Sequence, residues 1–271
     1  MKWETLTGPD FANAVKACEG VCIFPIGVIE KHGDHLPLGQ DVICAYEIAV
    51  QAAELEKAIV FPFYYFGMNT HAKCEPGAIA LKFDLLLPVL ESMCDEIARN
   101  GLKKIIFFNW HGGNYFMLNY LLQRLLDAPK DYMLYFLDGC PSENPPDTSF
   151  FSAKVDGHGG EVETSTMLAL HPEYVKSDVP ASYGMPLGRE PYRKMGIATS
   201  SWWYADYPRM LMADQTPGTA EKGRKSNALT AERLAAAVKQ IKADDTPLQL
   251  YREFLARCQN PVEDTLSHKY F

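Results

Sequence analysis

The chain has 271 residues, 47% of them hydrophobic, 22% charged and 12% aromatic; this fits one globular domain or two small ones with ample core and excludes a disordered or collagen-like polypeptide. Its 26 Lys+Arg against 34 Asp+Glu give a formal charge of −8, which leaves no basic excess to track phosphates, so no nucleic-acid partner is expected. No apolar run approaches the roughly 20 residues that span a bilayer, and the polar start Met1-Lys2-Trp3-Glu4-Thr5 has no apolar stretch behind it, so neither a membrane partner nor a secretory signal is expected.

In chain order, Val21 to Gly27 reads as a buried strand. Asp41 to Leu55 reads as a helix with Asp41 as its N-cap. Ala58 to Tyr65 is β-rich, with a proline that shortens it or sets it at a sheet edge. Leu85 to Asn100 is helical and Gly101 marks its end. Lys103 to Asn109 is the clearest strand, Asn114 to Leu126 a helix, Tyr132 to Leu137 a strand. Glu161 to His171 is a helix that stops at Pro172; Thr230 to Lys242 and Leu248 to Cys258 are two more. Ser177 to Gly223 is the least regular stretch. It carries Trp202, Trp203, Tyr204 and Tyr207, and reads as a lid, a subunit contact or an extended loop. The 7 cysteines, Cys18, Cys22, Cys44, Cys74, Cys94, Cys140 and Cys258, are odd in number and scattered. They read as reduced thiols, mostly small core residues, in a cytoplasmic protein. Strands alternating with helices predict an α/β fold with a mostly parallel sheet covered on both faces. In such sheets ligands bind beyond the carboxyl ends of the strands.

Three segments at those ends carry chemistry. After the first strand, Glu30 and His32 lie two apart and share a face if the strand continues through them; Asp41 opens the next helix. One imidazole with two carboxylates suits Zn, Mn or Fe(II), although this segment alone also reads as a polar surface loop. After the clearest strand comes Asn109-Trp110-His111-Gly112-Gly113-Asn114. His111 there is a metal ligand or a satisfied structural histidine, and no Lys-Ser or Lys-Thr follows to make a phosphate loop. The third segment is Asp156-Gly157-His158-Gly159-Gly160-Glu161-Val162-Glu163. His158 and Glu161, three apart, share a face. Glu161 and Glu163 diverge on a helix, so only one reaches a metal; Glu163 is assigned to the helix dipole and capping. Together the three segments predict a hydrolytic metal site at the carboxyl edge of the sheet. His71 is a weaker pocket candidate; His35, His171 and His268 are assigned to structure or surface.

Glu-x-His-Gly-x-His-Leu-Pro-x-x-x-Asp, Asn-x-His-Gly-Gly-Asn and His-Gly-Gly-Glu-x-Glu-Thr-Ser, in this order, resemble the creatininase (creatinine amidohydrolase) family, and Thr219-Ala220-Glu221-Lys222-Gly223-Arg224 looks like the family's closing segment. The resemblance implies a three-layer αβα sandwich formed by a single domain spanning 1–271, one or two divalent ions (Zn, Mn or Fe), and a homo-oligomer, often a hexamer. Glu30, His32, Asp41 and His111 fall on metal-ligand positions, with Asp41 bridging. Creatininases carry Tyr-Glu after the motif histidine, the Glu being a ligand; here those positions are Gly112 and Gly113. Glu161 is expected to supply the lost carboxylate from another loop, which places the chain in the non-creatininase branch. Trp110, Gln40 and Glu75-Pro76-Gly77-Ala78 also depart from the family pattern and imply a changed pocket.

The implied reaction is attack by metal-activated water on the carbonyl of a small cyclic amide or formamide, breaking C–N. His158, outside the ligand set, would pass a proton to the leaving group. A second enzyme reading is hydrolytic C–C ring opening of a cyclic polyol-derived ketone. A third is a non-catalytic metal-bound binding protein.

Overall fold

A computed structural model of the chain describes residues 1–139, 149–153, 155–184, 186–188 and 190–262. Four apolar segments form its sheet: β1 (Val21–Ile26), β2 (Ile59–Val60), β3 (Lys104–Asn109) and β4 (Met133–Asp138), in the order β2-β1-β3-β4. Every pairing among them is parallel. Ile26 registers with Asn109 and Asn109 with Asp138, so three carboxyl ends reach one edge together. The helices are α1 (Gly8–Ala17), α2 (Gln40–Leu55), α3 (Phe83–Arg99), α4 (Asn114–Asp127), α5 (Glu161–Leu170), α6 (Glu190–Lys194), α7 (Trp202–Asp206), α8 (Ala220–Ala243) and α9 (Thr246–Gln259).

Alternation along the strands makes the layers. Cys22, Phe24, Ile26, Ile105, Phe107 and Leu134 pack with residues of α1, α3 and α4 and with Tyr251 of α9. Val21, Ile23, Ile106 and Phe108 point the other way, onto α2, Met167 of α5, and α8. The result is the expected αβα sandwich, with continuous apolar strands because both faces are covered. Cys18, Cys22, Cys44 and Cys94 are buried; Cys74 and Cys258 are exposed. Cys140 and His268 lie outside the described residues. No described helix is long and apolar enough to cross a membrane.

Three element boundaries differ from expectation. The strand read over Ala58 to Tyr65 shrinks to Ile59–Val60 at the sheet's edge; Pro62 has no amide to donate, and the chain leaves the ladder there. The last long helix begins at Ala220 rather than Thr230, capped by the Thr219 hydroxyl accepting from Lys222 N at 3.2 Å. Gly223 is therefore helical; a Cβ there would overlap the Ser165 carbonyl, so its glycine allows α5 and α8 to approach closely. Asp41 is not the cap of α2: Gly39 holds that position, and Asp41 sits in the first turn.

Candidate metal centre

The first contributions come from the turn after β1. A Cβ on Gly27 would lie 2.6 Å from the backbone of Asp41; its absence lets the start of α2 press against the strand end and carries Asp41 to the residues that follow. Glu30 and His32, two apart, enter the same cluster, and the Glu30 amide bonds the Leu38 carbonyl at 3.0 Å, closing the loop between them and α2. His111 follows β3. Asn109 fixes it by accepting from the His111 amide (3.2 Å) and donating to the His111 carbonyl (2.8 Å); Asn114 in turn donates to Asn109 Oδ1 (3.1 Å). The motif's two asparagines thus shape the turn that aims the histidine. His158 arrives in the turn before α5, and Glu163 in that helix's first turn.

These side chains converge. His32 Nε2 is 3.0 Å from Asp41 Oδ1 and 3.8 Å from Glu163 Oε2. His111 Nδ1 is 3.0 Å from Glu30 Oε1 and 3.2 Å from Asp41 Oδ2, so Asp41 turns one oxygen to each imidazole. His158 Nδ1 is 3.6 Å from Glu30 Oε1, and His71 Nε2 is 3.3 Å from Glu30 Oε2. Donor atoms of Glu30/His71/His111, of Glu30/His32/His158 and of His32/Asp41/Glu163 each lie within 4.8 Å of one another.

The outer nitrogens explain the aim of the inner ones. His32 Nδ1 lies 3.3 Å from the Glu30 carbonyl, His111 Nε2 3.2 Å from that of Met68, and His158 Nε2 2.7 Å from that of Lys31. A carbonyl only accepts, so each of these nitrogens donates, and a ring that gives up its second proton to a bound ion would turn an unprotonated nitrogen toward the carboxylates. Histidines that hold metals are oriented in this way. Glu30 and Asp41 are 0% and 1% exposed, yet all four of their carboxylate oxygens and His32 Nε2 lack a hydrogen-bond partner. Buried polar atoms left so are costly, and a cation among them removes the cost. The donor set therefore fits a divalent ion.

The electrostatics agree. Burial opposes charge on His32, but Asp41, Glu163 and Glu30 outweigh it and push its pKa up to about 10. His111 is raised in the same way, against burial, chiefly by Glu30. Burial likewise works against the Glu30 carboxylate, and His111 more than offsets it, holding the group well below its usual range. Protons on two imidazoles stand in for the positive charge that an ion supplies. Burial, with the charge on His32, pushes His158 down to about 4, and its ring is neutral at pH 7. Burial lifts Glu163 to about 7 against the pull of His32.

Of the sequence-predicted residues, Glu30, His32, Asp41, His111 and His158 come together, and Glu161 does not. Its carboxylate, 0% exposed, accepts from Ser152 N (2.9 Å), Ser152 Oγ (3.1 Å), Ala153 N (2.5 Å) and the Lys222 ammonium. Glu163 takes the place expected of it. The two diverge on α5 as predicted, but the helix enters rotated so that its third residue faces the cluster. Glu163 also caps, accepting from Gly159 N at 2.6 Å, from a position 3.8 Å from His32 Nε2. His158 also stands nearer the carboxylates than a proton carrier outside the ligand set was expected to. A Cβ at position 113 would collide with the Met68 carbonyl and His111 Nε2, so this turn has no room for a side chain there. His35 is buried on Thr164 Oγ1 at 2.9 Å, and His171 meets Glu173 at the surface, in line with structural roles.

Two residues at the centre were underread. His71, on the turn Thr70–Ala72, has no periodic or motif signal beyond its nearness to Pro76-Gly77. Trp203 was read only as part of an aromatic stretch. Its indole lies edge-on to His71 and His158, with ring centroids 5.5 and 5.4 Å apart. Its Nε1 donates to Met210 Sδ at 3.2 Å, and Met210 is held at φ 52° in the buried interior.

The Creatininase family model, described as creatinine amidohydrolase, matches residues 4–238. The creatinine amidohydrolase of Pseudomonas putida is 27% identical over 190 residues, 64% of this chain and 73% of that protein. The mycofactocin precursor peptide peptidase of Mycolicibacterium smegmatis is 26% identical over 238 residues, 82% and 85%. The 3-dehydro-scyllo-inosose hydrolase of Thermotoga maritima is 26% identical over 191 residues, and the chain spans 58% of its length. Two creatininase structures, one with Mn and one of Zn–Zn type, each share 23% identity and a TM-score of 0.72 over 88% of this chain and 97% of theirs. At that identity the likeness speaks for the fold.

Proposed function

Since the chain belongs to the creatininase family, whose relatives above are hydrolases, we propose that it is a metal-dependent hydrolase that cleaves the C–N bond of a small cyclic amide or formamide. The observation that carries this reading is the set of carbonyl-oriented imidazoles aimed at unpartnered buried carboxylates. Glu30, His32, Asp41, His111 and Glu163 would hold one or two divalent ions, Zn or Mn as in the related structures, or Fe. Such ions lower the pKa of water toward ~7 and polarise a carbonyl. Asp41, with an oxygen on each side, links the two halves of the cluster.

His158 carries the proton. Its Nε2–H is tied to Lys31, so its free nitrogen, Nδ1, is turned toward Glu30 Oε1 at 3.6 Å, the side on which an ion and substrate would sit. It accepts a proton there from the attacking water and returns it to the departing nitrogen. Trp203 packs against His71 and His158 at the edge of the cluster. Its N–H is taken by Met210, so the ring offers substrate an apolar face rather than hydrogen bonds. That suits a planar amide better than a ring of hydroxyls.

A homo-oligomer, hexameric as the resemblance implies, and a cytoplasmic location belong to the same reading. Trp202 and Tyr204, which flank Trp203 on α7, are 43% and 44% exposed, a surface that suits contact with a neighbouring subunit, and the buried thiols suit a reducing compartment. The test is a screen of lactams, formamides and ketocyclitols with Zn- or Mn-loaded protein. Amide or formamide turnover is expected. Turnover of ketocyclitols alone would replace this reading with C–C cleavage, and retained metal without turnover of any class would favour a binding protein.

A further inference from the structure

We infer that His71 is itself a metal ligand, facing Glu30 from outside the motif segments, and that it makes its half of the cluster richer in nitrogen donors than the half at His32, Asp41 and Glu163. The inference rests on the metal reading above and adds to it a residue outside the family positions.

The turn carrying His71 is laced to the metal-bearing segment. Asn69, fully buried, donates Nδ2 to the Ile29 carbonyl at 3.1 Å. Ile79 N bonds the same carbonyl at 3.1 Å, and Lys31 Nζ reaches Glu75 Oε2 at 3.1 Å. The 69–79 stretch is thereby fixed along residues 29–31 at both ends. The ring is set by packing: it lies parallel to His111, 8° apart with centroids at 5.7 Å, and meets the Trp203 indole at 61° with centroids at 5.5 Å. Glu30 then stands between two imidazoles, Oε1 toward His111 and Oε2 toward His71. Neither oxygen has a hydrogen-bond partner, and the residue is fully buried. A carboxylate in that position, faced by a ring nitrogen on each oxygen, is arranged for an ion rather than for solvent.

The donor chemistry differs between the halves. Glu30, His71 and His111 offer two nitrogens and one oxygen; His32, Asp41 and Glu163 offer one nitrogen and two oxygens. Imidazole favours Zn²⁺, Co²⁺ and Fe²⁺, and carboxylate favours Mn²⁺. Without His71 the first set keeps one imidazole and loses its preference.

Metal-stripped protein titrated separately with Co²⁺, followed by visible absorption, and with Mn²⁺, followed by electron paramagnetic resonance, tests this. The native chain should take Co²⁺ most tightly at the nitrogen-rich set and Mn²⁺ at the other. His71→Ala should weaken tight Co²⁺ binding by more than about 10²-fold, beyond the roughly 10–100-fold typical of an outer partner, and leave Mn²⁺ binding within about threefold. Added imidazole should restore the Co²⁺ spectrum, since His71 is partly exposed. Glu163→Gln should do the reverse. A native chain that binds neither ion overturns the metal reading itself. A native chain that binds both while His71→Ala binds Co²⁺ unchanged overturns only the role of His71, and equal loss of both ions overturns the division into unlike halves.

Discussion

Glu161 and Glu163 stand two residues apart on one helix turn, and removing each should have opposite consequences. Lys222→Met strips the ammonium from a Glu161 carboxylate that is fully buried. Breaking a buried ion pair on one side costs about 3–5 kcal/mol. Two amides and a hydroxyl stay on the carboxylate, and Lys222 is 22% exposed, so water reaches that side; the cost then falls near the low end, about 3 kcal/mol. For a chain of this size each kcal/mol moves Tm by roughly 2–4 °C, so scanning calorimetry should show a fall of about 6–12 °C. Glu161→Gln should fall comparably, because its amide group would face the Ser152 and Ala153 N–H donors. Combining Glu161→Leu with Lys222→Met, which removes both charges, should cost less than the two single changes added. Elemental analysis of these variants should find metal content unchanged. Glu163→Gln should leave Tm of the metal-free protein within about 2 °C and lose the ion held at His32 and Asp41. Loss of metal in Glu161→Gln with little change in Tm would refute this assignment and return Glu161 to the ligand set.

Three further outcomes are expected. His158→Ala should keep its ions and lose turnover by about 10²–10⁴-fold; metal loss equal to that of Asp41→Ala would make His158 a ligand. His35 is held by burial at a pKa of about 4, below the 6.5 of the unfolded chain, so between these values the unfolded state binds the extra proton and stability falls as pH drops, by about 3 kcal/mol in all. His35→Gln should flatten that part of the Tm–pH curve of metal-free protein, and an unchanged slope would count against it. Trp203→Ala should raise KM for a planar amide more than it lowers kcat, while Trp203→Phe keeps most binding; a fall in kcat alone would place the indole outside the substrate wall.

The sheet and its helices were legible because both signals are local: apolar runs in β1 and β3, and amphipathic periodicity in α3, α4 and α9. The cluster was legible where side chains sit on fixed geometry. Glu30 and His32 both reach the cluster, but from the loop after β1, which ends at Ile26, and not along a continued strand; His111 follows the strand paired with the one before Glu30. The choice between Glu161 and Glu163 turned on the rotation of α5 about its axis, which depends on Gly223 packing against Ser165 some sixty residues downstream, and no local pattern records that. His71 and Trp203 reach the site through loops whose paths are set by long-range bonds, from Asn69 to Ile29 and from Trp203 to Met210. The start of α8 was missed because its first residues fall at the end of the stretch read as least regular, and the close contact of Gly223 with Ser165 is not recorded by any local pattern.

The most direct test is equilibrium dialysis of the native chain and of Asp41→Ala against Zn²⁺ or Mn²⁺, followed by elemental analysis of the protein. Asp41 turns one oxygen to each half of the cluster, so the native chain should retain one or two ions and Asp41→Ala should retain almost none while still folding. A native chain that emerges without metal, or an Asp41→Ala variant that keeps the native stoichiometry, would contradict the metal centre and the hydrolysis built on it.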